Sequence, residues 1–325
     1  MSIITADRFK FLLKASIRRK TVMWLLFSLV LSIVLLRDSW TEILVVLSPD
    51  WIFGEYHVAP WGILVLCFVF IWLKRRELWE EMSQGNIFHN RWDNYTESGT
   101  IIGMILISLI LIAGATLLPI SRNYLVFKIL LASVGIFVIF FFKAVKIPVI
   151  LLVIYGMVIT FPLMIQHFFE YSYSQTAIVP LMKIMNILGY QIQNQGSIIN
   201  ISTVEGVPIF TTITTACAGP TTMAVFIALF TLMMLDRPLF AKKAIGLFVF
   251  GVVGTWIQST IRLILLMIIG YYWGEDALWT AHYWTIYILF PLWYLLFVFI
   301  YFRQFQGSPE STRKQRVSQY TATDN

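Results

Sequence analysis

Charge is scarce in this chain. Of its 325 residues only 13% are Asp, Glu, Lys or Arg, about half the share of a soluble globular domain. With 58% hydrophobic residues and a mean hydropathy of +0.78, that deficit excludes an ordinary soluble domain. Cysteine is scarcer still. Cys67 and Cys217 are the only two, with no CxxC pair and no zinc spacing, which disfavours dithiol redox chemistry and structural zinc. Four histidines and scattered carboxylates do not converge, so no metal and no cofactor is expected. The chain has no GxSG motif, no HExxH motif and no aspartate inside an apolar run, which argues against serine, metal-dependent and aspartyl intramembrane proteolysis. The net charge of +7 is spread over loops rather than gathered on one face, so a nucleic-acid partner is not expected either.

Apolar runs are abundant. They fall at about 21–36, 58–73, 100–118, 124–142, 147–165, 217–235, 244–269 and 280–302, and a helix of roughly 20 residues crosses a bilayer core. If all eight span and the N-terminus is cytoplasmic, 19 Lys/Arg fall on the inner side and three (Arg37, Arg122 and Lys183) on the outer side. Lys128 and Arg262 lie within the runs. Such a bias follows the positive-inside rule. The expected fold is an all-α polytopic membrane protein of about eight transmembrane helices, with both termini cytoplasmic. MSIITADRFKFLLKASIRRK is too long and too charged for a signal peptide, so the first run is expected to remain as an anchor. No internal repeat is seen. The chain divides into residues 1–99 (tail, two membrane helices and a cytoplasmic loop), 100–302 (a membrane core) and 303–325 (a polar, disordered cytoplasmic tail).

The largest outer segment, 166–216, is more than a linker. TAIVPLMKIMNILGY reads as an amphipathic helix for the membrane interface. SIINIS and VPIFTTI are β-rich and separated by Thr203-Val204-Glu205-Gly206, which predicts a β-hairpin leading into Cys217. Asn200-Ile-Ser202 matches a glycosylation acceptor on the outer side; Asn94-Tyr-Thr96 matches it on the cytoplasmic side, where the match carries no meaning.

Three chemistry-bearing residues share a depth. Along a helix rising about 1.5 Å per residue, Arg262 lies roughly 28 Å from the inner marker Lys243, Cys217 roughly 28 Å from Asp236, and His282 roughly 31 Å from Arg303. An ionisable residue inside an apolar run is a functional candidate. Gly251, Gly254, Thr255, Gln258, Ser259 and Arg262 follow three- and four-residue steps, so a small, polar stripe shares the arginine's face and should look into the bundle. Pro220 suits a first helical turn, which puts Cys217 just before the positive end of a helix dipole. Helix N-termini and nearby cations favour a thiolate, the working nucleophile. His282 could take the thiol proton and return it to a leaving amine, and Arg262 could hold the carbonyl or the oxyanion. Each residue alone also has a plain reading: a packing cysteine, a snorkelling arginine, an interfacial histidine. Cys67, mid-run in GILVLCFVF, takes that reading. His57 and His89 lack a matching partner, whereas the outward His167 is a second candidate base.

Ala216-Cys217-Ala218-Gly219 opening a membrane helix, Arg262 in the next and His282 opening the one after resemble the exosortase/archaeosortase family, over roughly residues 100–302. Ala218 stands where the family often has Ser or Thr, Pro220 where it has an aliphatic residue, and Ser259 where it commonly has Asn. The nearest analogy is to its divergent archaeal branches. The resemblance implies a multi-pass cysteine transpeptidase of the cytoplasmic membrane, with Cys217 as nucleophile, His282 as acid/base and Arg262 stabilising the carbonyl. Thr215, Gly219, Ser259 and Gln258 would support the site. Implied partners are secreted proteins ending in a sorting motif, a transmembrane helix and a basic cluster, and a lipid amine as acceptor. The rival reading is a non-enzymatic transporter or assembly subunit that uses Arg262 as an anion-binding charge.

Overall fold

The structure, a computed structural model, describes residues 20–46, 48, 58–84, 95–118, 122–141, 144–214 and 217–306. Helix is the dominant element, and the chain forms two compact units, Met1–Ile159 and Thr160–Asn325.

The first unit contains α1 (Lys20–Leu35), α2 (Arg37–Val46), α3 (Val58–Leu73), α4 (Arg75–Gln84), α5 (Tyr95–Leu117) and α6 (Arg122–Phe140). The first four apolar runs appear as α1, α3, α5 and α6, whereas α2 and α4 occupy segments read as loops. α4 is polar in composition but buries Leu78 and Met82, four residues apart on one face. Leu78, Trp79 and Met82 are the apolar residues among ten, too few to give a clear periodic signal. Gly135 lets α5 and α6 approach: a Cβ there would lie 2.9 Å from Ile112 and 3.1 Å from the Ser108 carbonyl oxygen. The Ser108 hydroxyl donates to the Gly135 carbonyl at 2.6 Å. Lys128, the second cation inside an apolar run, is buried and its ammonium donates to the Leu118 carbonyl at 3.1 Å, beyond the end of α5. Helix ends leave carbonyls without intrahelical partners, so this lysine has a structural use.

α7 (Lys146–Phe168) carries the boundary between the units. The second unit continues with α8 (Glu170–Ile187), β1 (Ile192–Gln195), β2 (Ile198–Ser202), β3 (Pro208–Thr212), α9 (Pro220–Asp236) and α10 (Ala241–Gln306). α8 begins six residues before the amphipathic stretch read from the sequence. Ser174, Ala177, Ile178, Leu181 and Met185 are buried along one stripe. That stripe packs with Ile192, Ile199, Ile201 and Ile209 of the sheet and with Leu263 and Met267 of α10.

The expected hairpin is present as β2 and β3, and β1 adds a third antiparallel strand in the order β1-β2-β3. Ile199 and Ile201 alternate inward on β2, Ile209 and Thr211 on β3, the period-2 pattern of a half-buried sheet. β1 escaped the sequence reading because Ile192 is the one apolar residue in IQNQ. The turn that joins it to β2 contains Gly196 at φ 70°, and a positive φ at that point suits a tight hairpin.

The connection expected between the last two apolar runs is absent. α10 is helical from Ala241 to Gln306 apart from Gly274, at φ 84° and ψ −175°. Contacts of Gly270 with Leu278, Thr255 with Trp293 and Gly251 with Phe297 show that the arms at 241–273 and 275–306 run antiparallel. The chain thus reverses at one residue, in a conformation that glycine alone adopts readily. The drop in hydropathy across YYWGED gave the impression of a loop. The tail read as disordered from Arg303 is helical as far as Gln306, and its remainder lies outside the described residues. So do the N-terminal tail before Lys20 and Asn94.

Candidate active site

The nucleophile candidate sits in a turn rather than in a helix. Residues 217 and 218 form a turn before Pro220, which opens α9 as its first residue. Gly219 is the N-cap at φ 89° and ψ 33°, a left-handed conformation. The Cys217 and Ala218 amides both donate to the Thr214 carbonyl, at 3.0 and 3.3 Å. The Cys217 sulfur is half-buried and lies 3.6 Å from the Thr214 hydroxyl. Cys217 also packs against the cluster that contains Ala218, Leu263 and Met267. The sheet therefore delivers the thiol to α9, and α10 lies beside it. Cys67, by contrast, is buried in α3.

Ring donors on the second arm of α10 hold it to its neighbours. Tyr294 donates to the Thr222 carbonyl in the first turn of α9 at 2.8 Å, and Tyr301 to the Arg237 carbonyl after its last turn at 2.7 Å. The Trp293 indole donates to the Thr255 hydroxyl of the first arm at 3.0 Å. Gly254 makes room for that indole, because a Cβ at 254 would overlap the Trp293 ring. Gly219 likewise meets the Ser259 side chain closely, which brings the α9 N-cap onto the polar stripe of α10.

Arg262 is 4% exposed, and its guanidinium faces the second arm. Nε donates to the Thr285 hydroxyl at 3.2 Å. Nη2 lies 3.3 Å from Nδ1 and from Nε2 of His282, and donates to the His282 carbonyl at 3.3 Å. A guanidinium only donates, so at most one of the two ring nitrogens, the one that carries no proton, can accept from it. Thr285 in turn donates to the His282 carbonyl at 3.2 Å. The Phe290 ring lies 5.9 Å from the Arg262 guanidinium carbon, within cation–π range.

The structure thus brings together Arg262 and His282 between the two arms of α10, and separately Cys217, Gly219 and Ser259 at the start of α9. Gln258 is buried on the same face of α10 as Arg262. Thr215 lies outside the described residues, as do His57 and His89. His167 is exposed on α7, where its ring meets Phe168 edge-on at 4.8 Å. Thr285 escaped the sequence reading, although His282-Tyr-Trp-Thr285 places the hydroxyl one turn from the imidazole on the same face. Among the described residues no three His, Cys, Asp or Glu side chains gather as a metal site.

A family model for transmembrane exosortase (Exosortase_EpsH) matches residues 51–302. The chain belongs to the transmembrane exosortase family. No curated protein and no solved structure matches it. Membership brings membrane location and transpeptidase-type chemistry with it. In the structure α7 and α10 are long and apolar enough to cross a bilayer, and α1, α3, α5, α6 and α9 contain shorter apolar helices.

Proposed function

We propose that this exosortase is a cysteine transpeptidase whose active centre is Cys217, His282 and Arg262. The observation that carries the reading is the direct contact of Arg262 with His282 on α10, while the Cys217 turn packs against the cluster that contains Leu263 and Met267 of the same helix. In the first step the Cys217 sulfur attacks the scissile carbonyl carbon of a secreted protein while His282 takes the thiol proton. The carbonyl oxygen becomes an oxyanion, which Arg262 stabilises in a site of low dielectric. Collapse breaks the C–N bond. His282 gives its proton to the leaving nitrogen, which departs with the substrate's transmembrane helix, and a thioester remains on Cys217. An amine on a lipid then attacks the thioester, passes its proton to the imidazole and restores the thiol.

The eight apolar runs span the cytoplasmic membrane with both termini inside, and the reaction takes place at the outer face. The charge bias supports this topology, and the break at Gly274 falls where the last two spans reverse. The substrate carries a sorting motif, a membrane helix and a basic cluster. The test is intact-mass analysis after co-expression with secreted reporters that bear such tails. An acyl adduct mapped to Cys217 is the expected result. Normal processing by Cys217→Ala would overturn the cysteine mechanism.

A further inference from the structure

Gln258 has no role in the steps above, yet among the described residues of the site it is the side chain whose polar groups are both buried and unused. It is 9% exposed, and neither its Oε1 nor its Nε2 has a hydrogen-bond partner among the described residues. Its neighbours on the same face of α10 are engaged. Thr255 accepts from Trp293 of the second arm, Ser259 touches Gly219 beside the thiol, and Arg262 reaches His282 and Thr285. Gln258 precedes Arg262 by one turn, about 6 Å along the helix.

An amide buried without partners destabilises the fold, and an apolar side chain of the same size would avoid that cost. We propose that the Gln258 carboxamide is a receptor for a backbone peptide group of the substrate's sorting segment, one turn deeper than the scissile bond. This inference rests on the transpeptidase reading. A primary carboxamide offers one acceptor oxygen and two N–H donors, the complement of a peptide C=O and N–H. An extended chain laid over Arg262 presents its next peptide groups along this face. The uncharged amide selects a neutral donor–acceptor pair, leaving charge recognition to Arg262. Gln258 is thus a positioning residue that holds the substrate in register with Cys217.

The test uses the full-length enzyme in membranes and a secreted reporter with a short randomised stretch, a leucine-rich membrane helix and an arginine cluster. Tails processed by the wild type are recovered, then synthesised with one amide at a time replaced by an ester. Gln258→Leu, and Gln258→Met as a second apolar isostere, should fold with an unchanged or higher Tm. Each should raise KM about tenfold while kcat stays near that of wild type. One ester should weaken the wild type by a similar factor and have no effect on either variant. Unchanged KM, equal ester penalties in wild type and variants, or loss of folding in both variants would overturn the inference alone. A wild type that leaves every reporter intact, or a Cys217→Ala variant that cleaves, overturns the transpeptidase reading and this inference with it.

Discussion

Arg262 grips His282 at both ends of the residue: the same guanidinium nitrogen lies 3.3 Å from the ring nitrogens and 3.3 Å from the backbone carbonyl. In the proposed mechanism this side chain acts twice, orienting the imidazole base and stabilising the reacting carbonyl. A substitution should therefore injure catalysis more than folding.

Arg262→Lys tests this directly. Lysine keeps the charge but loses the planar fork, so it cannot reach Thr285 and His282 together. Processing of a reporter tail should fall by about 10²–10³, the scale of a lost oxyanion donor, with the protein still inserted. Thr285→Val removes a hydroxyl that receives a charged donor, worth about 1.5–3 kcal/mol, and should slow processing roughly ten- to a hundredfold. Cys217→Ala should abolish it. The transporter reading differs at the thiol: it requires Arg262 to be essential and Cys217 to be dispensable.

The two thiols should differ in reactivity. Cys67 is buried in α3, whereas Cys217 is half-buried in a turn beside the Thr214 hydroxyl. A membrane-impermeant maleimide at mildly acidic pH should label Cys217 from the outer face far faster than Cys67. Equal rates, read by peptide mapping, would count against an exposed nucleophile.

Part of this site was legible in the sequence because helical spacing fixes which residues share a face. Pro220 marked the start of α9, and the three- and four-residue steps from Gly251 to Arg262 marked one face. Both appear in the structure, the second as contacts to Phe226, Trp293, Gly219 and His282. Hydropathy failed where the signal was local. It read a connection across residues 270–279, where the chain needs only Gly274 to reverse. It also missed β1, whose pairing partners lie in β2 rather than in its own pattern. Thr285 carries no signal alone, because its meaning depends on Arg262, 23 residues away.

Stability should fall in alkali through Tyr173. This α8 phenol packs against the sheet-side cluster, and burial pushes it up to about 12. Between pH 10 and 12 the unfolded chain loses this proton while the folded chain keeps it. The stabilisation is therefore complete below pH 10 and is lost as pH rises through about 12. The difference is at most about 2–3 kcal/mol. Tyr173→Phe should flatten the fall in Tm across that window relative to wild type. An unchanged slope would show that the phenol titrates freely.

Gly219 should be the least replaceable residue near the thiol. A methyl group there would overlap the Ser259 side chain and lie 2.9 Å from the Thr222 hydroxyl, and φ 89° is strained for any other residue. Gly219→Ala should cost about 1–3 kcal/mol in backbone strain alone. The steric part has only poor exits, since moving Ser259 shifts the face that carries Arg262, and moving the turn shifts Cys217. Activity should therefore fall further than Tm implies. Ser259→Ala clears the hydroxyl but leaves its Cβ 3.2 Å from the new methyl, so the double variant should recover part of the activity and little of the stability. A strictly additive double variant would show that Gly219 and Ser259 do not share this contact.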